Sequence, residues 1–425
     1  MLLKNLDTFR IAKTNALLTS YAGLPLVAEL AKNISLLDDL DTRISIKQIR
    51  KKYSISEKVL SIMLTIIAGG ESLDDVRMLN SDAGLKKLLG AKNLPAANTT
   101  GEFLRLFSRK NIFQLSKINT ELAVDAVKKK NLSSVTIDVD ASAIESFKQE
   151  SQLTYLGYTG YSPLFAFVDE LKLSLCGVFR PGNASPAANA LSFTRLLLKS
   201  LPHNVEKIFR SDSAWYNGKV MDFIHSHNAK FVIKADMDVS VRDTIKAIPK
   251  NAWTPFQDFE IAETVHTLNT NKFAYRLVVA RFKANQPDLF DGDYSYFPII
   301  TNISDMSKEN LFQFYRNRAN CENIIKELQY GFALDKFPCG QFLANAAFFH
   351  IALLAYNLVQ LLKIFTLPQN FLSLSIKTLR FKLLCLAAVV VAHAKMLFLK
   401  LPLKYPLFDL FCDARWRTLN FAVGR

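Results

Sequence analysis

Apolar and polar positions alternate over residues 133–142 in a run that includes Val135, Thr136, Ile137 and Val139, and this period of two predicts a half-buried strand ending in Asp140. Further strands are predicted over 162–168, 171–179, 205–213 and 229–234, the fourth of the five ending in Asp212. A helix is expected over 186–200, with Ser185 as N-cap and Pro186 in its first turn, and another over 215–225. Beyond Asp305 and Ser307, which offer caps, Leu311, Phe314, Ile324, Ile325 and Leu328 form the apolar stripe of a last helix. Between 237 and 302 the runs 256–268, 273–282 and 294–301 are strand-like, with a polar, turn-rich loop over 284–293 whose acids lack EF-hand spacing. The first 130 residues read instead as several helices, with apolar-periodic segments at 27–31, 44–49, 59–67, 85–89 and 103–107 separated by breaks such as Ala68-Gly69-Gly70.

Two apolar runs near the C-terminus, 345–365 and 383–401, are long enough to span a membrane. They carry Asn345, His350, Asn357, Gln360 and Lys363 in the first and His393, Lys395 and Lys400 in the second, a polar load expensive in lipid. Hydrophobic helices packed on the sheet account for both runs, and no membrane partner is expected.

Tyr315, Arg318 and Glu322 are spaced by three and four residues, so one continuous helix stacks a phenol, a guanidinium and a carboxylate on one face, with Lys326 continuing the row. Such a face handles phosphate, or is a solvated face with a Glu322–Lys326 pair. Asp138 lies two residues before Asp140 and so on the same face of its strand, which leaves both open as the functional acid.

Charge changes the picture. The excess of Lys and Arg over Asp and Glu is +8 for residues 1–130, −1 for 131–330 and +8 for 331–425. Basic flanks suit segments that hold duplex DNA by its phosphates, although basicity alone does not decide this. With half of its 425 residues apolar, the chain can bury a core and form two or three domains. Five scattered cysteines without a C-x-x-C indicate neither a zinc site nor a disulfide framework, and the six histidines show no paired-ligand spacing. Residues 1–30 lack a signal-type apolar segment, so a cytoplasmic location is expected, nucleoid-associated when on DNA.

Three strands followed by helix, strand, helix, strand and helix is the order of a ribonuclease-H-like fold, in which the ends of the first and fourth strands and the last helix converge. The chain resembles insertion-sequence DDE transposases of group 1, whose last helix carries Y-(2)-R-(3)-E-(6)-K. Tyr315, Arg318 and Glu322 match that signature. Gln329 stands where its lysine is, and Lys326 lies one turn earlier. Asp138-Val139-Asp140-Ala141-Ser142, Arg180-Pro181-Gly182-Asn183, Arg210-Ser211-Asp212-Ser213 and Thr301-Asn302 resemble other segments of the group, and the likeness runs from about residue 40 to 400. The group's Asp-x-Thr pattern selects Asp140, with Ser142 in the Thr position, and leaves Asp138 as a supporting residue. Asn345 and Asn357 match positions that follow the last helix. Asn98-Thr99-Thr100-Gly101-Glu102 resembles the group's cap before an arginine-bearing helix, with Arg105 and Arg109 one turn apart. Lys128-Lys129-Lys130 marks a domain boundary or is a solvated loop.

The resemblance implies an α/β chain in four parts. These are a helical DNA-binding region (1–130), a ribonuclease-H-like catalytic core (131–236 and 303–335), a β-rich insertion (237–302) and a helical C-terminal region (336–425). It implies a metal-dependent DNA transposase in which Asp140, Asp212 and Glu322 are catalytic and hold two Mg²⁺ ions, with Mn²⁺ able to substitute. Tyr315, Arg318 and Lys326 would contact phosphate. The implied partners are double-stranded DNA, as terminal inverted repeats and as target, and a second copy in a homodimeric synaptic complex. Relatives hold a flipped base on an insertion aromatic, for which Trp253, Tyr294 and Tyr296 are candidates against ordinary packing. A silent DNA-binding derivative and a nuclease without strand transfer remain as alternatives.

Overall fold

The computed structural model describes residues 8–47, 52–288 and 292–421. Its centre is a nine-stranded mixed sheet, whose strands in chain order are β1 (Ser134–Ala141), β2 (Leu164–Val168), β3 (Leu173–Val178), β4 (Glu206–Ser211), β5 (Lys230–Lys234), β6 (Thr254–Phe256), β7 (Phe259–His266), β8 (Tyr275–Asp288) and β9 (Gly292–Thr301). Across the sheet they lie in the order β6-β7-β8-β9-β5-β4-β1-β2-β3. β1, β2 and β3 form an antiparallel meander, while β4 runs parallel to β1 and β5 parallel to β4. β9 pairs antiparallel with β5, so the strands of residues 254–301 continue the same sheet. Leu289, Phe290 and Asp291 of the expected turn-rich loop, and Gln48 and Ile49 of the expected 44–49 helix, lie outside the described residues; Ile44, at the C-terminal end of the Leu36–Arg43 helix, is extended.

The five strands expected before residue 236 are present with shorter bounds. β1 departs from the half-buried reading, because its polar positions Thr136, Asp138 and Asp140 are buried along with its apolar ones. Two of these positions have polar partners. The Thr136 amide donates to Glu170 at 2.8 Å, and Asp138 is ion-paired.

The run 345–365 lies within a 25-residue helix, Phe342–Thr366, long and apolar enough to cross a membrane, with 89% of its most apolar window buried against the rest of the protein. Its polar side chains hold neighbouring backbone. Asn357 Oδ1 accepts from Ser174 N at 2.8 Å and its Nδ2 donates to Ser174 O at 2.7 Å, which pins edge strand β3. Asn345 accepts from Cys339 N and donates to Cys339 O and the Tyr161 hydroxyl. Asn302 performs a similar task for β5, accepting from Phe231 N and donating to Ala229 O. The helix approaches β3 so closely at Gly177 that a β-carbon there would stand 2.6 Å from Leu353 Cδ1 and 2.8 Å from the Phe349 ring. Gly177→Ala is therefore expected to lower stability by roughly 1–3 kcal/mol through overpacking, read as a lower midpoint in urea unfolding. An unchanged midpoint would mean that the helix shifts freely.

Four local expectations are corrected. The helix expected over 186–200 begins at Ala190, because Arg180 Nη1 takes the carbonyls of Ser185 and Ala188 and Asn189 turns left-handed at φ 66°. Residues 383–401 are not a helix. Val389, Val390 and Val391 lie in a strand, Ala388–His393, that turns through left-handed Ala394 and Lys395 into a second strand, Met396–Lys400, and pairs on its other side with Leu18–Thr19. The cap expected before an arginine-bearing helix falls inside the helix Ala97–Arg105, while Ser108 caps the next helix, Arg109–Lys129, so Arg105 and Arg109 lie on different helices. Lys128 and Lys129 end that second helix and are not a loop, and the Lys129 ammonium stands 3.7 Å from the centre of the Phe421 ring.

Candidate active site

β1 and β4 run parallel with Asp138 opposite Arg210 and Val139 opposite Ser211. One residue further along each chain stand Asp140 and Asp212, side by side at the C-terminal ends of two central strands. Asp212 Oδ1 also accepts from Ala214 N at 3.1 Å, capping the turn Ser213–Trp215.

The third arm is a pair of helices where one was expected. Lys308–Arg316 ends and Ala319–Gly331 begins, with the break at Asn317 and Arg318. In an unbroken helix the Arg318 amide would donate to the Phe314 carbonyl. That carbonyl instead accepts from Arg210 Nη1 at 2.6 Å, and the Arg318 amide donates to Tyr315 O at 2.9 Å. The tertiary contact from β4 thus sits at the break, where local sequence gives no sign of it.

The same arginine settles the part played by Asp138. Arg210 donates from Nε to Asp138 Oδ1 at 2.6 Å and from Nη2 to Asp138 Oδ2 at 2.7 Å, and Nη2 also lies 3.0 Å from Asp169 Oδ2. Burial opposes the charge on Arg210, and its bonds to Asp138 and Asp169 outweigh that and raise its pKa. Asp138 is spent in this buried network.

Asp140, Asp212 and Glu322 all meet Arg318. Its Nη2 lies 3.1 Å from Asp140 Oδ1 and 3.7 Å from Asp212 Oδ2, and its Nη1 donates to Glu322 Oε1 at 3.1 Å. Burial pushes the Asp140 carboxyl up to about 7, Arg318 pulls it down, and Asp212 and Glu322 add to the rise. Asp212 is also raised, by burial first, while Arg318 and Lys234 oppose. The Tyr315 ring is buried against Phe297, with centroids 5.6 Å apart, and burial raises its hydroxyl, which feels Arg318, Asp212 and Asp140. Lys326 is exposed one turn beyond Glu322, and Gln329 is half-buried. The structure thus brings Asp140, Asp212, Glu322, Arg318 and Tyr315 together and leaves Lys326 at the rim.

Three hard carboxylate donors from three elements suit a divalent cation such as Mg²⁺. As placed, no three acidic, histidine or cysteine groups among the described residues are close enough to share one ion, since a guanidinium stands between the acids. The donor types suit such a cation, and Arg318 contacts all three carboxylates.

Several neighbours of the site were not singled out from sequence. Tyr155, on the loop after β1, has its hydroxyl raised by burial and by Asp140, and Lys234 and Asp236 act on Asp212 from the end of β5. Arg210 alone was within reach, as a residue two before Asp212 and therefore on the same strand face. The insertion aromatics pack: the Arg281 guanidinium lies 4.2 Å from the Trp253 ring centre and 4.4 Å from that of Tyr294, and Trp253 is 6.1 Å from Tyr296.

The sequence model of the family described as transposase DDE domain group 1 matches residues 7–420. The chain belongs to this family. Its architecture is mixed α/β, with one large sheet and many helices, and transposases of the family generally use divalent metal ions. Among solved structures the chain is similar to a piggyBac transposase seen by cryo-EM in a synaptic complex with hairpin DNA. The TM-score is 0.40 and the identity 8%, over 78% of this chain and 72% of that one. No curated protein matches the chain.

Proposed function

We propose that this member of the transposase family is an active enzyme that binds the terminal inverted repeats of an insertion sequence, cuts DNA at their ends and joins the freed 3′ ends to target DNA. One observation carries the reading. Asp140, Asp212 and Glu322, from two strand ends and a helix, reach a single guanidinium. In this reading β1–β5 and the helix pair are a ribonuclease-H-like core, and the three acids hold two Mg²⁺ ions, or Mn²⁺ in their place. When bound, such ions stabilise negative charge on the attacking and leaving oxygens of an in-line displacement.

The chain's own residues do the rest. Arg318 offers a planar fork suited to a bidentate phosphate contact, and Tyr315 a hydroxyl held in place by its buried ring. Lys326, exposed on the helix that also carries Glu322, adds a point charge where the family pattern has its lysine one turn later. Residues 1–130 and 336–425 carry the positive charge and hold the duplex by its phosphates, so binding falls steeply with salt. The active assembly is a homodimer, in the cytoplasm on nucleoid DNA. Gln329, in place of the signature lysine, favours a second reading, a derivative that binds repeats and no longer cuts.

Cleavage of a labelled duplex carrying the element's terminal repeat, in Mg²⁺ or Mn²⁺, separates the two. The expected result is metal-dependent cutting at the repeat end by the wild type and none by Glu322→Gln. Tight repeat binding with no cutting by either protein would establish the silent derivative.

A further inference from the structure

Arg318 is anchored at a helix junction yet reaches acids on two different strands. Its contact with Glu322 is an ordinary i,i+4 pair, whereas those with Asp140 and Asp212 cross to the ends of β1 and β4. The guanidinium uses Nη1 and Nη2 on these acids, while Nε is buried with no hydrogen-bond partner. A permanent structural ion pair would satisfy that donor, as the Arg210 guanidinium does with Nε on Asp138 and its other nitrogens on Asp138, Asp169 and Phe314. The two arginines of the site therefore differ: every nitrogen of Arg210 has a polar partner, whereas Arg318 Nε has none. The acids around Arg318 are spread about a planar group and do not converge on one point.

We propose that Arg318 is the built-in counter-ion of the acidic site, occupying in the metal-free protein the space that a divalent cation takes, so that cation binding and Arg318 compete for the same three carboxylates. This rests on the proposed reading of Asp140, Asp212 and Glu322 as the cation's ligands. Without a cation, the guanidinium offsets the mutual repulsion of three carboxylates, of which Asp140 is buried. When a cation binds, it and Arg318 are like charges a few ångströms apart, and the guanidinium swings out from the junction by a rotamer change. The displaced fork is then free for a DNA phosphate. Phosphate capture by Arg318 thus follows cation loading, an order that a lysine cannot reproduce because a point charge does not span three acids.

The test is a Mn²⁺ titration of the full-length protein without DNA, with free Mn²⁺ read by electron paramagnetic resonance. Arg318→Gln is expected to bind Mn²⁺ roughly tenfold or more tightly than wild type, since a like charge has been removed from the site. Equal or weaker binding by the variant, with binding by wild type intact, overturns the competition and leaves the acids as a cation site. Absence of Mn²⁺ binding by both proteins overturns the competition together with the metal reading beneath it. Should Arg318→Gln not fold, the wild type still decides. Arginine modification by phenylglyoxal, mapped by mass spectrometry, is expected to be several times faster at Arg318 in saturating Mn²⁺ than in chelator, and an equal rate overturns the proposal.

Discussion

Asp140→Asn is expected to abolish strand cleavage, a loss beyond the roughly 10–100-fold that follows removal of an outer-shell partner of a metal site. Duplex binding is expected to survive, because in the proposed reading the basic flanks and not the acidic centre hold the phosphates. The same variant is expected to make the metal-free protein more stable near neutral pH. Asp140 is only 7% exposed, and burial lifts its carboxyl from an ordinary 3.8 to about 7 against the pull of Arg318. Because the folded-state value lies above the unfolded one, the folded chain takes up the proton first. Stability from this group is complete below about pH 4 and is lost as pH rises to about 7. Asparagine keeps the shape, carries no charge and removes that loss. Thermal melts in chelator across this window, with a nicking assay and a gel shift, test all three statements. Binding lost in parallel with cleavage would show that Asp140 is a structural acid, and a stability gap between variant and wild type that does not widen through the window would contradict the burial argument.

Asp140 was legible at the end of an alternating, β-branched run, and Asp212 at the end of a short strand-like run leading into a helix. The side-by-side placement of Asp140 and Asp212 was not, since register between strands 72 residues apart in the chain is set by partners such as Asp138 and Arg210. The break at Arg318 was hidden for a similar reason. Residues 308–331 hold no proline, and their apolar positions suit one continuous helix; the break coincides with a tertiary hydrogen bond from Arg210 to the Phe314 carbonyl. The run 383–401 misled because its first ten residues are all apolar and carry no period, leaving the valines and the left-handed turn at Ala394 and Lys395 to decide in favour of strands. Arg318 was read as a phosphate ligand from its type and spacing, and the contact it makes with the acids depends on three elements that meet only after folding.

Arg210→Met is expected to cost about 3–5 kcal/mol of stability, as removal of one partner from a buried ion pair does, because Asp138 and Asp169 lose their shared cation. Arg210→Met combined with Asp138→Leu removes both charges of the closest pair and is expected to recover much of that loss, since apolar residues of similar volume often replace a buried pair without cost. Cleavage is not expected to recover with it. Without the Arg210 donor the Phe314 carbonyl is free to accept from the Arg318 amide, and the two helices can close into one. That closure would rotate Arg318 and Glu322 relative to Asp140 and Asp212, and a displacement near 1 Å in such a constellation is enough to cost on the order of 10²-fold in rate. Urea unfolding and repeat cleavage, measured on the same three proteins, separate the two roles. A double variant that regains stability but not cleavage marks Arg210 as the residue that positions the third acid; one that cuts at the wild-type rate would show that the break at Arg318 holds without it.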